Sequence, residues 1–232
     1  MWQMNRIMAS MSLLCLARSH LSDPGVIPKG LVEPKSFQDP LFCRVCNGWK
    51  PPRAHHSRLL NRCVFRMDHV CRWIGNVVGY SNQKFFIQFL VYTCMFCLLT
   101  TGICIMSIWE HPSFVTIIER GRLLLLAISI IAFFIIKSYL SEQVESLDSN
   151  VTLIETFKNS EPSSDCIDAF RQIFGNNPLL WFLPIDSSLP PDYSEGIVSS
   201  SNLSHDDAHD LDVEVTEVAK AAMQYPLNKK ID

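Results

Sequence analysis

The apolar positions of this chain are concentrated in two long runs near its middle. The first run, residues 85–109, contains no charged residue. As a helix rising about 1.5 Å per residue, it exceeds the roughly 30 Å hydrocarbon core of a bilayer. The second run, residues 123–140, is interrupted only by Lys137, whose long side chain can place its charge at the interface. The pattern predicts two transmembrane helices that form a hairpin, so that both flanking parts of the chain share one side of the membrane.

A shorter apolar stretch, Ile7–Ala17, lies between Arg6 and Arg18. It falls short of the about 20 residues that span a bilayer. Its length and flanks fit the hydrophobic core of a signal peptide, and they fit equally well the remnant of a membrane helix whose first half is missing. The turn sequence Ser22–Gly25 ends this stretch, and Val26–Pro40, with three prolines, predicts a loop.

Polar residues dominate after the second apolar run. Apolar residues recur at helical spacing between Ile167 and Phe174, which predicts an amphipathic helix on the membrane surface or against the cysteine-rich part of the chain. From Asp186 on, Ser, Pro, Asp and Glu are abundant and predict a disordered acidic tail. The tail ends in Lys229-Lys230, which resembles a di-lysine retrieval signal and points to the endoplasmic reticulum or Golgi membrane.

Charge and cysteine content narrow the range of functions. The chain has 20 Lys and Arg against 23 Asp and Glu, a slightly acidic balance that argues against a nucleic-acid partner. Four of the nine cysteines lie between residues 43 and 71, which is typical of metal binding in a reducing compartment. Six positive residues between Arg53 and Lys84 place this part in the cytosol by the positive-inside rule, although Arg120 and Arg122 weaken the argument.

A predicted zinc site begins at the Cys-x2-Cys pair. Three thiolates and one imidazole follow the pattern Cys-x2-Cys-x9-His-x6-Cys, the ligand set that a tetrahedral structural zinc ion takes. The four predicted ligands are Cys43, Cys46, His56 and Cys63. The spacing alone admits His55 as well as His56.

A candidate nucleophile follows the zinc site in the sequence Asp68-His69-Val70-Cys71. In an extended backbone, residues two apart project to one side, so His69 can reach the Cys71 sulfur and act as its base. Asp68 is placed to fix the His69 tautomer, and Arg72 adds positive charge nearby. Alternatively, Cys71 is a further zinc ligand; spacing alone leaves both interpretations open.

These signals predict a mainly α membrane protein with a small zinc-bound cytosolic module of irregular or β-hairpin structure. They divide the chain into a membrane-helix remnant (1–21), a cysteine-rich module (22–84), a transmembrane helix (85–109), a short lumenal link (110–122), a second transmembrane helix (123–140), a juxtamembrane segment with the amphipathic helix (141–185) and the acidic tail (186–232).

An ordered series of motifs extends over roughly 160 residues. It comprises Ser22-Asp23-Pro24-Gly25, the cysteine-rich module, Asp68-His69-x-Cys71-x-Trp73, Asn76, Gly79, Asn82, Thr152-x-x-Glu155 and the segment from Phe174-Gly175 to Trp181-Phe182-x-Pro184. In these features the chain resembles the DHHC family of protein S-acyltransferases (palmitoyltransferases), most closely its small members.

The resemblance implies a cytosolic catalytic module on four transmembrane helices. An acyl group would pass from long-chain acyl-CoA to a cysteine of the enzyme, and then to cytosolic cysteines of membrane-associated protein substrates. Cys71 resembles the nucleophile, His69 its base and Asp68 the residue that orients the base. The predicted zinc ligands match the first of the family's two zinc sites.

The second zinc site of the family falls on four residues that are not ordinary zinc ligands: Ser57, Leu60, Val70 and Val77. Since all four ligands are absent together, we expect the module to hold one structural zinc ion. A structural zinc contributes about 10–16 kcal/mol to folding, whereas burial of an apolar side chain returns about 1.5–3 kcal/mol. We therefore expect a looser module around Cys71, with the leucine and the two valines packed against each other.

Further departures from the family bear on activity. Arg72 stands where the family usually has proline, and Leu153 replaces the second threonine of a Thr-Thr-x-Glu motif. Compared with the family, we expect the first transmembrane helix to be absent and the second to be reduced to Ile7–Ala17, which would leave one wall of the acyl-chain cavity missing. Two functions remain: a protein S-acyltransferase working through acyl-Cys71, and an inactive family member acting as a membrane adaptor or binding acyl-CoA or a partner. The intact nucleophile motif favours the first.

Overall fold

The computed structural model describes residues 1–28, 42–110, 117–158 and 166–186. Most of the predicted loop, part of the predicted link and nearly all of the predicted acidic tail, with its Lys229-Lys230, lie outside these residues. The described elements, in chain order, are α1 (Trp2–Leu21), β1 (Phe42–Cys43), β2 (Gly48–Trp49), β3 (Ala54–Ser57), β4 (Arg62–Phe65), β5 (His69–Cys71), β6 (Asn76–Val78), α2 (Gln83–Glu110), α3 (Ile117–Asp148), α4 (Leu153–Phe157), α5 (Cys166–Phe174) and a 3₁₀ turn (Pro178–Leu180).

The structure confirms the predicted fold class, because helices predominate and the cysteine-rich module is built from β-hairpins. Helices α2 and α3 are both long and apolar enough to cross a membrane. α2 coincides closely with the first apolar run, whereas α3 extends beyond the second run at both ends. The polar turns after residue 140 remain helical because Leu140 and Leu147, two turns apart on one face, pack into the same core cluster.

Helix α1 is longer than the apolar stretch Ile7–Ala17 and packs antiparallel to α2. The two helices meet through polar side chains, and the pairs are Asn5–Thr100 (3.2 Å), Ser12–Thr93 (2.7 Å) and Cys15–Gln88 (3.9 Å). Large apolar side chains on α1, among them Ile7, Leu13 and Leu21, are exposed. A helix with polar contacts inside and apolar side chains outside is typical of a membrane environment, where interhelical hydrogen bonds hold helices together.

The cysteine-rich module consists of three antiparallel hairpins, β1–β2, β3–β4 and β5–β6. Each connecting turn contains one residue with a positive φ angle: Asn47 (51°), Asn61 (50°) and Gly75 (62°). Asn and Gly are the residue types that enter the left-handed region at least cost, and one such residue closes this kind of hairpin loop. The turn residues therefore fix three similar hairpins along the module.

The third hairpin is tied to the C-terminal end of α1. The side-chain amide of Asn76 donates to three main-chain carbonyls of residues 19–22 at 3.0–3.2 Å. These are carbonyls that the end of a helix leaves without internal partners. At Gly79, a Cβ atom would lie 2.5 Å from the carbonyl oxygen of Pro24, so glycine permits the close approach of the chain after α1. Both features set the position of β5 and β6 relative to the helices.

The segment after α5 is held against the module end of α2. Lys84, Gln88 and Tyr92 follow one another at every fourth position of α2 and donate hydrogen bonds to main-chain carbonyls of residues 180–185. In α5, Ile173 is fully buried in a core cluster shared with the module. The amphipathic helix thus packs on the module, and both lie at the same end of the α2–α3 hairpin.

Candidate active site and metal site

Four predicted ligands come together where the first two hairpins meet. Cys43 and Cys46 belong to β1 and its turn, while His56 and Cys63 face each other as a register pair of β3 and β4. The Nδ1 atom of His56 lies 3.6 Å from the Cys43 sulfur and 3.3 Å from the Cys46 sulfur. The sulfurs of Cys46 and Cys63 are 3.7 Å apart, and all four ligand atoms lie within 4.8 Å of one another.

These separations fit a tetrahedral zinc ion. Zn–S bonds of about 2.3 Å and Zn–N bonds of about 2.0–2.1 Å imply S···S and S···N separations of about 3.8 and 3.5 Å. The cluster can therefore hold a metal, and its geometry favours His56 over His55 as the imidazole ligand. His55 projects to the other face of the strand, where its Nδ1 atom lies 3.3 Å from the amino nitrogen of Lys158.

The four residues at the family's second zinc site do not form a set of metal ligands. Leu60 and Val77 pack in an apolar cluster that α4 completes with Ile154. Val70 is 38 % exposed, so the expectation that it packs with the other two side chains is wrong. It precedes the inward-facing Cys71 in β5, and neighbouring residues of a strand point to opposite faces.

The second hairpin nevertheless keeps the turn geometry of the metal-binding hairpin. In the first hairpin, the N–H of Cys46 donates to the sulfur of Cys43 at 3.4 Å. In the second, the N–H of Leu60 donates to the hydroxyl oxygen of Ser57 at 3.4 Å, again three residues apart. A hydroxyl thus takes the acceptor role of a thiolate, and the hairpin preserves its shape while apolar packing occupies the site.

Asp68, His69 and Cys71 lie together at the third hairpin. The Asp68 Oδ2 atom is 2.8 Å from His69 Nδ1, and the His69 imidazole and the Cys71 thiol are close enough to shift each other's pKa. His69 and Cys71 reach each other because they stand two residues apart in β5, the arrangement that the spacing predicts. Asp68 is fully buried, and Cys71 is 5 % exposed.

The three groups shift one another's pKa values. Burial by itself lowers the pKa of His69, but hydrogen bonds and negative charge from Asp68 and Cys71 raise it to about 9. Burial by itself raises the pKa of the Cys71 thiol, but His69 and the N–H groups of Ile74 and Trp73 bring it below its usual value. Burial also raises the pKa of Asp68, and its three hydrogen-bond donors lower it overall. The arrangement therefore favours a thiolate beside an imidazolium, an activated nucleophile.

The structure bears on two suggestions from the sequence: that Arg72 supplies positive charge to Cys71, and that Cys71 is a further zinc ligand. The Arg72 side chain is exposed, and the cation that lowers the pKa of Cys71 is His69 instead. Among the described residues, the four-ligand cluster does not include Cys71. Both observations favour a nucleophile activated by its histidine over a further zinc ligand.

Asp68 is held by a main-chain group of Leu153, a position that the sequence marks as a departure from the family, and by the side chain of Gln143, which the sequence does not mark. The N–H of Leu153, at the start of α4, donates to Asp68 Oδ1 at 2.8 Å. The side-chain amide of Gln143, in α3, donates to Asp68 Oδ2 at 2.8 Å. Because the main chain of Leu153 makes the first bond, the replacement of a threonine there leaves this support in place. Gln143 lies between Leu140 and Leu147 on the buried face of α3, a helical periodicity that would have indicated an inward-facing amide.

An apolar cluster connects the nucleophile to the long helices. Cys71 and Ile74 pack with Phe86 and Leu90 of α2, and the ring of His69 lies edge-on to Phe86 with centroids 5.3 Å apart. Partly buried residues of all three long helices extend the cluster: Leu16, Phe89, Ile136, Tyr139 and Leu140. The sulfur thus has hydrogen-bonding groups on one side and apolar side chains on the other, which suits a substrate with a long apolar chain.

Comparison with known proteins shows which family the chain resembles. A family model described as DHHC palmitoyltransferase matches residues 36–160. The chain is 34 % identical to palmitoyltransferase ZDHHC15A of Danio rerio over 159 residues, which is 63 % of this chain and 48 % of that protein. It is 33 % identical to ZDHHC20 of Homo sapiens over 64 % of this chain and 44 % of that protein. It is 32 % identical to ZDHHC3-A of Danio rerio over 81 % of this chain and 69 % of that protein. The chain thus spans less than half the length of the first two relatives.

Proposed function

This chain belongs to the DHHC palmitoyltransferase family, and we propose that it is a protein S-acyltransferase. It would carry a long-chain acyl group from acyl-CoA, through a thioester on Cys71, to cysteines of membrane-associated proteins. The observation that carries this proposal is the position of Cys71, beside the hydrogen-bonded Asp68–His69 pair, at the head of an apolar cluster that continues into α2 and α3.

In the first step, the Cys71 thiolate attacks the carbonyl carbon of the acyl-CoA thioester. A carbon–sulfur bond forms to Cys71, and the carbon–sulfur bond to CoA breaks. The departing CoA sulfur takes the proton of the His69 imidazolium, which leaves the imidazole neutral. Asp68 keeps the ring oriented throughout, because its carboxylate holds Nδ1.

In the second step, the neutral His69 accepts the proton of a substrate cysteine. The substrate sulfur attacks the acyl carbonyl on Cys71, and the Cys71 sulfur leaves as a thiolate. The thiolate–imidazolium pair is then restored for the next acyl-CoA. His69 acts as the acid in the first step and as the base in the second, whereas Cys71 is the nucleophile in the first and the leaving group in the second. Loss of either residue should therefore stop both transfers.

The apolar helices supply the binding energy for the acyl chain. Each methylene that leaves water contributes about 0.8 kcal/mol, so a long chain gains most of its affinity from the cluster of α1, α2 and α3 side chains. The thioester end then lies where this cluster meets Cys71. In this proposal the helices bind the acyl chain and Cys71 reacts with the thioester, which explains why Cys71 lies at the end of the long apolar helices.

Zinc has a structural role in this proposal. Cys43, Cys46, His56 and Cys63 supply four ligands, and a site closed by four protein ligands has no open position for a substrate. The ion would join the first hairpin to the second, on which the third hairpin rests. We propose one such ion per chain, since Leu60 and Val77 fill the other position with apolar side chains.

We place the module and residues 166–186 on the cytosolic face of the endoplasmic reticulum or Golgi membrane, in a multi-pass protein. The six positive residues between Arg53 and Lys84 support this orientation. Protease added to sealed microsomes should cut an epitope tag inserted before Phe42. A tag that is protected until detergent is added would contradict the orientation.

The decisive experiment is incubation of membranes carrying the chain with radiolabelled palmitoyl-CoA. We expect label on the protein that hydroxylamine removes, since thioesters are cleaved by this reagent. Cys71→Ser should abolish the label, whereas Cys97→Ser, in α2, should retain it. Transfer is then tested by adding a cysteine-containing, membrane-anchored peptide to the labelled enzyme.

The alternative function, an inactive adaptor, makes the opposite prediction. Wild-type protein would then carry no hydroxylamine-sensitive label, although its metal content and resistance to protease would show that it is folded. Label that persists in Cys71→Ser would also contradict the proposal, since another thiol would be the acceptor.

A further inference from the structure

Asp68 is a buried carboxylate with three hydrogen-bond donors from three different elements. His69 Nδ1, Gln143 Nε2 and the Leu153 main-chain N–H each lie 2.8 Å from it. His69 and Gln143 share the same oxygen, Oδ2, whereas Leu153 bonds to Oδ1. The carboxylate is therefore clamped at both oxygens, and the oxygen that faces the base is the one that Gln143 holds.

The orientation of the Gln143 amide is itself determined by its neighbours. Its Oε1 atom accepts a hydrogen bond of 3.2 Å from the side-chain amide of Gln83 in α2. Its NH₂ group faces Asp68, and an ionised carboxylate is an acceptor only, so the reverse orientation would set two oxygens against each other. Gln83 is fully buried and Gln143 is 4 % exposed, so water does not compete for these bonds.

We propose that Gln143 is a positioning residue for the Asp68–His69 pair and that, through Gln83, it makes the reactivity of Cys71 depend on the packing of α3 against α2. The chain of hydrogen bonds runs from Gln83 to Gln143, then to Asp68 and His69, and the His69 imidazole in turn interacts with the Cys71 thiol two residues along β5. The role of Gln143 in acyl transfer rests on the proposed function, but its role in thiol reactivity does not.

The physical reason is rotation of the carboxylate. Without Gln143, Leu153 at Oδ1 is the only one of the three donors that lies outside the Asp68–His69 pair, so the carboxylate can pivot about that bond. Oδ2 then moves away from Nδ1 of His69, and the imidazolium loses the anion that stabilises it. A less stabilised imidazolium in turn stabilises the Cys71 thiolate less, so the thiol ionises at higher pH.

The ionisable groups that face His69 are Asp68 and Cys71, on its own hairpin. α3 and α4 present to Asp68 the uncharged amide of Gln143 and the main-chain N–H of Leu153. Replacement of Gln143 by an apolar residue therefore changes a hydrogen bond without changing the charge of the site.

The test measures alkylation of Cys71 by iodoacetamide as a function of pH in the purified full-length chain, quantified on the Cys71 peptide by mass spectrometry. The rate follows the thiolate fraction, so its midpoint reports the thiol's pKa. Gln143→Met, unbranched and of similar size, should raise the midpoint by roughly half a unit to one unit, the shift that corresponds to one net hydrogen bond. Gln83→Met keeps the bond to Asp68 and should raise it less.

Ser129→Ala provides the matched control. The Ser129 hydroxyl bonds to that of Thr101 at 2.9 Å, so this variant also removes an α2–α3 hydrogen bond, at a position along the helices far from Asp68. Its midpoint should equal that of the wild type. A midpoint that is unchanged or lowered in Gln143→Met, or raised equally in Ser129→Ala, would overturn the proposal.

Two further measurements keep the result interpretable. Metal content and protease resistance show whether Gln143→Met is folded, and if it is not, Gln83→Met alone decides: an unchanged midpoint then counts against the proposal. Alkylation needs no acyl-CoA, so a midpoint that rises in a chain that is never acylated would support the positioning role and refute the acyltransferase.

Discussion

Arg53 and Glu155, far apart in the sequence, form a two-pronged ion pair between the module and α4. Arg53 Nε lies 2.8 Å from Oε1 of Glu155, and Arg53 Nη2 lies 2.8 Å from Oε2. Glu155 also accepts a hydrogen bond from the main-chain N–H of Thr152, and this bond is part of a capping box at the start of α4. The pair therefore fixes the helix start that presents the N–H of Leu153 to Asp68.

Removal of one partner of this ion pair should destabilise the protein strongly. Arg53→Met leaves the buried Glu155 carboxylate without its cation, which costs about 3–5 kcal/mol for a buried pair. The midpoint of thermal unfolding in detergent measures the loss. The double variant Arg53→Met/Glu155→Gln should recover part of it, because the uncompensated charge is gone. A single variant as stable as the wild type would contradict this account.

The same pair predicts a dependence of stability on acid. Burial raises the pKa of Glu155, but the Arg53 guanidinium lowers it overall below its usual value of 4.5. A depressed pKa contributes stability that is fully present above about 4.5 and is lost as pH falls through the lower folded value. Unfolding midpoints measured from pH 7 to pH 3 should fall in the acid range for the wild type. They should fall less in Glu155→Gln.

The His69–Cys71 pair predicts a thiol that ionises at lower pH than an ordinary cysteine. In the wild type, alkylation of Cys71 should have a midpoint below the 9.0 of an ordinary thiol, and His69→Gln should raise it. The stabilisation lasts while His69 is protonated, which is below about pH 9. His20→Gln is the control, since this histidine bonds to the carbonyl of Ile74 in the same hairpin and should leave the midpoint in place.

The module should contain one zinc ion per chain. Elemental analysis of purified protein measures this ratio, and Cys46→Ser should lower both metal content and stability, since binding of a structural zinc contributes to folding. Cys97→Ser, in α2, should retain the ion. Two ions per chain would contradict the apolar packing of Leu60 and Val77 in place of ligands.

Gly79 should tolerate no larger residue. In Gly79→Ala the new methyl group would lie 2.5 Å from the Pro24 carbonyl oxygen and 2.7 Å from Cγ1 of Val64, so the backbone must shift. Such overpacking costs about 1–3 kcal/mol, measurable as a lowered thermal midpoint. Gly121→Ala, in α3, meets no heavy atom within 4 Å and should be neutral or slightly stabilising. Equal effects at both positions would refute the steric explanation.

The sequence was informative where a function depends on residues that are close along the chain. The apolar runs predicted α2 and α3 because membrane helices require unbroken apolar length. The Cys-x2-Cys pair and the alternation of β5 placed Cys43 beside Cys46 and His69 beside Cys71. In each case the spacing of the residues alone fixes which side chains meet.

The sequence was less informative about contacts between elements that are far apart along the chain. Gln143 and Asp68 are 75 residues apart, and no local pattern links them. The second apolar run ends at residue 140, whereas α3 continues to Asp148 and carries Gln143 in that polar extension. Likewise, the support that Leu153 gives is a main-chain bond, which side-chain identity does not reveal. The family's zinc site suggests that the Val70 side chain is buried. The alternation of side chains along β5 instead places it on the face opposite to the buried Cys71, where it is exposed.

The near-complete burial of the Cys71 sulfur also bears on the lifetime of an acyl-enzyme. If the proposed thioester forms on Cys71, the side chains around it would keep it from bulk water, and its spontaneous hydrolysis would be slow. The acylated protein would then hold its acyl group until a partner thiol reaches the hairpin. Turnover would be paced by the arrival of that partner rather than by leakage to solvent.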